Sequence, residues 1–225
     1  MRTAEAQLSE KVYRNQGNPP LLVLLPEKSG RVLDCGCGAG DNAQLLQARG
    51  WKVTGITLSP AEQSAAAAFC ERVHLADLET GLPDSVSGPF DVVLLSHVLE
   101  HLVAPEKLLD AIKSVLAPDG ILAVALPNVL YYPVRLGALF GKFEYTVEGI
   151  MDETHVHFYT YEAGRQLLRK NGFRVLLARA DGAFPLWKFR RMLPDSWVQR
   201  LNRLACRVRP GLFGRQSLYL ARPAD

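Results

Sequence analysis

The stretch VLDCGCGAG, residues 32–40, joins the end of an apolar strand to a glycine loop, and the helical pattern DNAQLLQAR follows at once. Asp34 stands at the end of the strand, and glycine recurs at every second position after it, at Gly36, Gly38 and Gly40. Glycine tolerates positive φ angles and lets a ligand approach the backbone closely. A strand, a glycine loop and a helix in this order predict a site for a nucleotide-like ligand.

The spacing of the glycines narrows the choice of ligand. A loop that binds the pyrophosphate of a dinucleotide has the pattern G-x-G-x-x-G, whereas this chain has G-x-G-x-G. A carboxylate directly before the loop would repel phosphate, but it suits a cationic amino group. Asp34 and the spacing therefore argue against a dinucleotide, and a tight turn in another kind of α/β protein is the alternative.

An acidic residue followed by G-x-G-x-G resembles the first motif of class I methyltransferases that use S-adenosylmethionine. The resemblance implies that Asp34 lies near the methionine end of this cofactor. It also implies that the loop itself binds the cofactor, through Gly36, Cys37, Gly38 and Gly40.

Strands and helices alternate after residue 30, which is typical of parallel βαβ units. After VLD the expected strands are WKVTGI, RVHLA, FDVVLLS, ILAVAL and FRVLLARA, and the resemblance implies an antiparallel last strand at about 216–221. We therefore expect an α/β fold with a Rossmann-like, doubly wound sheet of about seven strands, mostly parallel with an antiparallel last strand. One domain would cover residues 1–225, with its cofactor-binding half at about 15–126.

The end of the second strand departs from the family pattern. The family usually places an acid there for the ribose hydroxyls, but this chain reads GITLSP, with Thr57 and Leu58 at that point. A neutral hydrogen bond from a hydroxyl is roughly half as strong as a charge-assisted one. We therefore expect a weaker affinity for S-adenosylmethionine or a different ligand. Ser59, Pro60 and Glu62 predict an N-cap and capping box for a helix that runs to about Glu71.

Two later strand ends complete the implied cofactor site. In the family, the residue after the third strand contacts the adenine amino group, and those after the fourth strand approach the methionine moiety. By this resemblance the contacts are Ala76, Asp77 and Leu78 after the third strand and Ser96, His97 and His101 after the fourth. A simple helix cap is the alternative for Asp77.

His97, Glu100 and His101 spell H-x-x-E-H, a metalloprotease pattern that needs a long helix. Here the motif directly follows a buried strand and Pro105 cuts it short, which argues against a peptidase. The ubiquinone-biosynthesis O-methyltransferases have a similar segment, with two acids before a histidine, and metal dependence is associated with it. Because His97 replaces the first acid, we predict no metal ligand, and metal binding at these residues is the open alternative.

Residues 127–160 show no sustained period, and the segment leaves the end of the fifth strand, where open α/β sheets bind ligands. We expect it to be a substrate-binding insertion. The first half of its end, GIMDETHVHFYT, together with PNVLYYPVRLGALFGKFEYT before it, is similar to a bacterial methyltransferase group, and with the earlier motifs the resemblance covers roughly residues 15–180. A histidine can remove a proton from the methyl acceptor. We predict His155 first and His157 second as this base, with a hydrogen-bonding role in the segment as the alternative.

Composition indicates an ordinary globular chain of 225 residues. No apolar run approaches a membrane span, and the N-terminal residues form no hydrophobic signal region, so we expect a cytoplasmic protein. The spacing of the four cysteines fits neither a zinc site nor a disulfide framework, and we expect them to be reduced.

Positive charge is concentrated at the C-terminus. Residues 188–225 hold nine basic residues and two acidic ones in a chain of net charge +3. Within residues 185–210 we expect an amphipathic helix, a lid or interface element capped by Asp195 or Ser196. Its apolar face would carry Trp197, Leu201 and Leu204, and Arg200, Arg203 and Arg207 would line another face. The segment predicts contact with an anionic substrate or a membrane surface, with a solvated helix face as the alternative.

Together these features predict methyl transfer from S-adenosylmethionine to an oxygen, or a nitrogen, of a small-molecule or lipid-linked acceptor. A nicotinamide-dependent oxidoreductase is the first alternative, but it would need the longer glycine spacing and an acid after the second strand. A catalytically inactive, cofactor-binding regulatory protein is the second, and only Thr57 favours it. The net-negative remainder of the chain argues against a nucleic-acid partner.

Overall fold

The computed structural model describes residues 16–186 and 192–224, and its centre is one seven-stranded sheet. The strands are β1 (Arg31–Cys35), β2 (Lys52–Thr57), β3 (Arg72–Leu75), β4 (Phe90–Ser96), β5 (Leu116–Pro127), β6 (Phe173–Gly182) and β7 (Gly214–Pro223). The helices are α1 (Pro19–Leu22), α2 (Asp41–Gln47), α3 (Pro60–Ala66), α4 (Pro105–Val115), α5 (Tyr132–Leu139), α6 (Tyr161–Lys170), α7 (Asp195–Val208) and α8 (Pro210–Phe213). A short 3-10 helix covers Leu78–Thr80.

The strand order is β3-β2-β1-β4-β5-β7-β6. The first five strands are parallel, and β7 lies antiparallel between β5 and β6. This arrangement confirms the predicted doubly wound α/β sheet with an antiparallel last strand. The order reverses between β1 and β4, so a crevice opens at the carboxyl ends of these two strands, which is where such sheets bind ligands.

Both faces of the sheet are covered, which explains the continuous apolar runs in its central strands. In β1, Leu33 belongs to the buried cluster on one face and Val32 to the cluster on the other. In β4, Val93 and Leu95 face the first cluster, and Val92 and Leu94 face the second. The core thus fixes the register of β1 and β4 and with it the position of the crevice between their ends.

Two local predictions differ from the structure: where one helix ends, and the absence of regular structure in the insertion. Helix α3 ends at Ala66 and not near Glu71, because the Glu71 amide donates to the carbonyl oxygen of Val53 in β2 at 2.8 Å and draws the chain into the sheet. The segment 127–160, predicted to be irregular, contains α5. None of the residues of α5 is buried, so no apolar stripe was present to produce a helical period.

The expected N-cap of the C-terminal helix was wrong. Pro194 occupies the N-cap of α7, so neither Asp195 nor Ser196 caps it. The side chains of Trp197 and Leu204 are more than half exposed. The buried residues of α7 are instead Val198, Ala205 and Cys206. The side chains of Ala205 and Cys206 are small, which lets the helix approach β6 closely.

The structure can be compared with the expectations about membrane-spanning helices, the cysteines and the basic C-terminal residues. None of the described helices is long and apolar enough to cross a membrane. All four cysteines are free thiols, as predicted. Three of the basic residues counted near the C-terminus, Lys188, Arg190 and Arg191, lie outside the described residues.

Helix α6 approaches the sheet closely at Gly164, where an added Cβ would lie 2.8 Å from Tyr219 Oη and 2.9 Å from Leu126 Cδ1. We expect Gly164→Ala to lower the free energy of unfolding by about 1 kcal/mol, because the overpacking outweighs the better helix propensity of alanine. The melting temperature should fall by about 2–4 °C, measured by calorimetry. Gly211→Ala is the control, since its added Cβ would meet nothing closer than 3.8 Å. Equal melting temperatures for both variants would contradict the close packing.

Candidate functional site

The glycine loop lies at the carboxyl end of β1 and is held in the conformation that its glycines allow. Gly36, Gly38 and Gly40 have φ angles of 72°, 52° and 89°, a region that other residues rarely adopt. A Cβ on Gly36 would lie 2.8 Å from Val98 Cγ2, and the Cys37 amide donates to the Ile56 carbonyl oxygen at 2.9 Å. The loop therefore touches both the end of β2 and the segment after β4, as a cofactor-binding loop must.

Asp34 is a buried carboxylate without a donor. Its side chain is fully buried, and neither carboxylate oxygen has a hydrogen-bond partner among the described residues. Burial alone raises the pKa of Asp34 to about 7. A cationic amino group bound in the crevice would supply the missing charge, so Asp34 fits the role that the sequence predicts for it.

The end of β2 holds an acid that the sequence pattern did not indicate. The Thr57 hydroxyl, itself buried, donates to Glu62 Oε2 at 2.5 Å. Glu62 lies in the first turn of α3 and is only 7% exposed, and its charge contributes to the raised pKa of Cys37 after burial and Asp34. The Ser59 hydroxyl accepts from the Glu62 amide, as predicted for an N-cap. A carboxylate therefore lies beside the glycine loop at this strand end, although Thr57 occupies the expected position.

The remaining predicted residues near β2 and β3 differ in how accessible they are. Leu58 is 54% exposed, and the Ala76 amide donates to the Thr57 carbonyl oxygen at 3.0 Å. Asp77 is exposed, and its Oδ1 accepts from the Glu79 amide at 2.9 Å at the start of the 3-10 helix. Leu78 is packed in the core. Asp77 thus forms the cap that was its alternative interpretation, and its other oxygen lies at the exposed surface.

After β4, His97 has a strained backbone and a ring that is bonded on both sides. Its φ angle of 59° is unusual for a residue with a side chain. Its Nδ1 lies 3.2 Å from Glu100 Oε1, and its Nε2 lies 3.0 Å from Gln216 Oε1. Burial works against the protonated ring, but the hydrogen bond and the charge of Glu100 outweigh it and raise the pKa of His97. Two acceptors and a raised pKa favour the imidazolium form.

Gln216 connects His97 to the N-terminal part of the chain. Asn18 Nδ2 donates to Gln216 Oε1 at 2.9 Å and to Ser96 Oγ at 3.2 Å. Gln216 Nε2 donates to Asn18 Oδ1 at 3.3 Å and to Asp181 Oδ2 at 3.1 Å. These bonds join residues before β1, after β4 and in β7 at one edge of the sheet.

A second cluster joins the segment after β4 to the predicted catalytic segment. Ligand atoms of Glu100, His101 and His155 all lie within 4.8 Å of one another, and the His101 and His155 rings meet edge to face at 4.7 Å. The Glu100 carbonyl oxygen accepts from the amides of Val156 and His157 at 2.9 and 3.1 Å. Glu100 is fully buried, and its Oε2 has no partner among the residues that the structure describes.

Backbone and side-chain acceptors fix the tautomers of the two histidines. The Nδ1 of His155 donates to the Ile150 carbonyl oxygen at 3.2 Å, and the Nδ1 of His101 donates to the Thr154 hydroxyl oxygen at 3.0 Å. The Thr154 hydroxyl donates in turn to Asp152 Oδ1 at 2.6 Å. Each neutral ring therefore keeps a lone pair on Nε2. Burial lowers the pKa of His155 below its ordinary value, which favours the neutral ring.

Glu100, His101 and His155 could also hold a divalent metal ion. One carboxylate and two imidazoles are a donor set found in zinc and iron sites, and hydrogen bonds from Nδ1 to outer acceptors are typical of histidine ligands. The sequence predicted no metal ligand and left His97, Glu100 and His101 as the alternative. In the structure His155 joins this group, whereas both ring nitrogens of His97 already contact protein oxygens.

His157, the second predicted base, has a different environment. Its Nε2 hydrogen-bonds the Val103 carbonyl oxygen at 3.2 Å. That bond anchors the segment to the loop before α4, which is the role given above as the alternative.

A shallow groove of about 250 Å³ adjoins the segment that carries His155. It is lined by Pro133, Val134, Gly137, Lys142, Phe143, Glu144 and Met151. Met151 follows Ile150, whose carbonyl oxygen fixes the ring of His155. The insertion therefore contains a largely apolar groove that reaches the residue next to the one that bonds the His155 ring.

Sequence reasoning missed four residues of this site: Asn18, Glu62, Glu100 as a partner of His155, and Gln216. Asn18 precedes two prolines and Glu62 follows a serine by three positions, so both carried only a helix-cap signal. Gln216 lies in a strand with an ordinary apolar pattern. No local signal shows that it reaches His97, which is 119 residues earlier.

Comparisons with known proteins agree with this geometry. A family model described as a methyltransferase domain matches residues 8–178. The chain is 34% identical over 105 residues to a ubiquinone biosynthesis O-methyltransferase of Psychrobacter arcticus, and the match covers 44% of this chain and 41% of that relative. It is 27% identical over 195 residues to a tRNA 5-carboxymethoxyuridine methyltransferase of Escherichia coli O157:H7, covering 77% of this chain and 73% of the relative. The first match thus spans about two fifths of that relative.

Among solved structures, a SAM dependent methyltransferase from Archaeoglobus fulgidus superposes with a TM-score of 0.61 at 19% identity. The superposition covers 92% of this chain and 91% of that one. At this identity the likeness shows the fold.

Asp34 makes the stability of the protein without ligands depend on pH. Its pKa is about 7 in the folded chain, above the ordinary 3.8, so the folded state binds more protons than the unfolded state between these values. Stability is therefore lost as the pH rises through this window. Between about pH 5.5 and pH 8, wild type should lose about 2 kcal/mol of unfolding free energy relative to Asp34→Asn, measured by urea denaturation. Parallel pH curves for the two proteins would refute the uncompensated burial of Asp34.

Proposed function

Because the chain belongs to the methyltransferase-domain family, we propose that it transfers a methyl group from S-adenosylmethionine to an oxygen of a small-molecule or lipid-linked acceptor. S-adenosylmethionine is the expected cofactor of the chain. When bound, it supplies an electrophilic methyl group on a sulfonium ion. The proposal depends above all on one observation, the position of His155 beside the buried Glu100 in the segment that follows β4.

Two buried acids would hold the cofactor. Asp34, which lacks a donor, would bind the amino group, and the glycine loop would admit the cofactor to the crevice. Glu62 would bind the ribose hydroxyls in place of the acid that the family carries at the position of Thr57. The Thr57 hydroxyl holds the Glu62 carboxylate at the end of β2. Thr57 was the only feature that favoured an inactive regulatory protein, and Glu62 removes that argument.

His155 would take the proton of the acceptor hydroxyl on its Nε2. Its Nδ1 stays bonded to the Ile150 carbonyl oxygen, which keeps the ring oriented throughout. The Glu100 carboxylate, whose charge favours a protonated His155, would stabilise the imidazolium that forms. The groove at Phe143 and Met151 would hold the apolar part of the acceptor.

The same cluster supports a second candidate mechanism, in which a divalent metal ion bound by Glu100, His101 and His155 activates the acceptor oxygen. The unpartnered Oε2 of Glu100 favours it. A second candidate acceptor is tRNA, which the name of one relative specifies. Methyl incorporation from tritiated S-adenosylmethionine into the organic extract of host cells, compared with incorporation into their tRNA, separates the two acceptor classes. Labelling of tRNA alone would overturn the proposed acceptor.

Glu62→Gln should weaken the binding of S-adenosylhomocysteine by about tenfold to 100-fold, because it removes the charge from a hydrogen bond to the ribose. Titration calorimetry measures this affinity. Thr57→Val is the matched control, with a smaller loss, since this hydroxyl only positions the carboxylate.

An analogue of S-adenosylhomocysteine without the 2′ and 3′ hydroxyls tests the contact itself. It should bind wild type and Glu62→Gln with equal affinity. If Glu62→Gln weakens the binding of this analogue as much as it weakens the binding of S-adenosylhomocysteine, Glu62 does not bind the ribose. Tighter binding of NAD to wild type than of S-adenosylhomocysteine would overturn the proposed function as a whole.

His155→Gln should reduce methyl incorporation into the extract by about 100-fold or more while the affinity for S-adenosylhomocysteine is unchanged. The wild-type rate should fall at acid pH through a pKa below 6.5, because burial lowers the pKa of His155. His157→Gln is the matched control and should retain turnover, since its ring bonds a backbone carbonyl group. Loss of turnover in the His157 variant alone would move the base to that residue.

Treatment with a chelator separates the base from the metal mechanism. The base mechanism requires full activity after metal removal and an NMR titration of the His155 ring with a pKa below 6.5. Activity that disappears with the metal and returns with a divalent ion, together with loss of metal binding in His101→Ala, would establish the metal mechanism instead.

A further inference from the structure

Helix α7 has an exposed face that nothing in the described part of the chain covers. Trp197, Leu204 and Val208 are 57%, 56% and 64% exposed. Their spacing of seven and then four residues places them in one stripe along the helix. The helix is already held to the protein by Val198, Ala205 and Cys206 on another side. The exposed stripe therefore serves no packing role within the described fold.

Three arginines lie directly beside this stripe. Arg200, Arg203 and Arg207 are exposed and are spaced three and four residues apart, so they form a row on the neighbouring face of α7. None of them takes part in an ion pair within residues 16–186 and 192–224. An apolar stripe that borders a row of free cations matches a surface that is apolar inside and anionic at its boundary.

Ring contacts and one hydrogen bond connect α7 and α8 to the insertion that flanks the groove. The ring of Phe213 lies 5.4 Å from Phe184 and 6.2 Å from Tyr132, and the Phe184 amide donates to Asn202 of α7 at 2.9 Å. From the start of α5 onward, six apolar or aromatic side chains are more than half exposed: Leu136, Leu139, Phe140, Phe143, Tyr145 and Val147. Such a concentration in one segment is unusual for a surface that faces only water.

The position of this surface relates it to the candidate site. Strand β6 runs parallel to β5, because both are antiparallel to β7, so α7 follows the carboxyl end of β6 at the ligand-binding edge of the sheet. The Asn128 side chain, at the end of β5, donates to the carbonyl oxygens of Gly211 and Gly214 at 3.1 and 2.7 Å, which joins this edge to the α8 turn. Phe143 lines the groove and is also 56% exposed.

We propose that α7 and the 136–147 segment dock on the surface of an anionic lipid bilayer, with the stripe inserted among the acyl chains and the arginine row at the phosphate level. No described helix could span the bilayer, so the contact is peripheral. Docking in this orientation turns the groove toward the membrane. The inference that the methyl acceptor is an amphiphile held in that membrane rests on the proposed function, whereas the docking itself does not.

Sedimentation of the full-length protein with vesicles, without cofactor or acceptor, tests the docking independently of methyl transfer. The protein should bind vesicles that contain phosphatidylcholine and phosphatidylglycerol in equal proportions. It should bind vesicles of pure phosphatidylcholine much more weakly. Replacing all three arginines by Gln should weaken binding to the anionic vesicles by about 100-fold. The triple control Arg169→Gln, Lys170→Gln and Arg174→Gln removes the same charge near the opposite edge and should bind like wild type.

Trp197→Ser and Leu204→Ser should each weaken binding by about tenfold or more while the far-ultraviolet circular dichroism stays that of wild type. The blue shift of tryptophan emission on adding anionic vesicles should be absent in Trp197→Phe. The proposal would be overturned if the protein sedimented with neither kind of vesicle. It would also be overturned if the triple control variant lost as much vesicle binding as the variant without the three arginines of α7. If the protein is a dimer that Leu204→Ser dissociates, the surface binds a second copy of the chain and the proposal is overturned. If the protein binds tRNA and not vesicles, the surface binds RNA, which overturns the proposal as well.

Discussion

The buried charge of Asp34 is the constraint on which the rest of the site depends. The doubly wound topology turns the chain in opposite directions after β1 and β4, and the carboxylate lies where the two strands separate, with no donor in the described chain. A protein interior tolerates such a charge only if it is neutralised by a proton or by a ligand. The open glycine loop lies beside it, and in the proposed function a cationic ligand that enters there would neutralise the carboxylate.

The acids of the site follow the strands. Asp34 lies in β1 one residue before its end, Glu62 is held at the end of β2, and Glu100 follows β4. Each is buried, and in the proposed function each would meet a different need: an amino group, ribose hydroxyls and a histidine that accepts a proton. A sheet whose parallel strands all end at one edge can present such a series without any sequence motif that contains all of its members.

The fold and the loop were predictable from the sequence because they depend on local signals. Apolar runs of the right length and glycines at fixed spacing predict β1, β4 and the loop between β1 and α2. The Thr57–Glu62 bond was not predictable, because the pattern that places Glu62 near Ser59 is equally that of a helix cap. The side of α7 that packs on β6 was not predictable for a related reason. The helix has two apolar stripes, and periodicity alone does not tell which one packs on β6 when the smaller side chains allow the closer approach.

The antiparallel last strand does more than extend the sheet. By lying between β5 and β6, β7 brings Gln216 to the crevice, where it accepts from the ring of His97 and pairs with Asn18. The strained backbone of His97, at a φ angle of 59°, persists because its amide donates to Ala125 and its ring bridges Glu100 and Gln216. Strain of this kind costs about 1–3 kcal/mol and is kept where neighbouring groups determine it several times over. The bond to His97 occupies Glu100 Oε1, and Oε2 has no partner among the described residues, so the last strand helps to orient the acid beside the candidate base through Gln216 and His97.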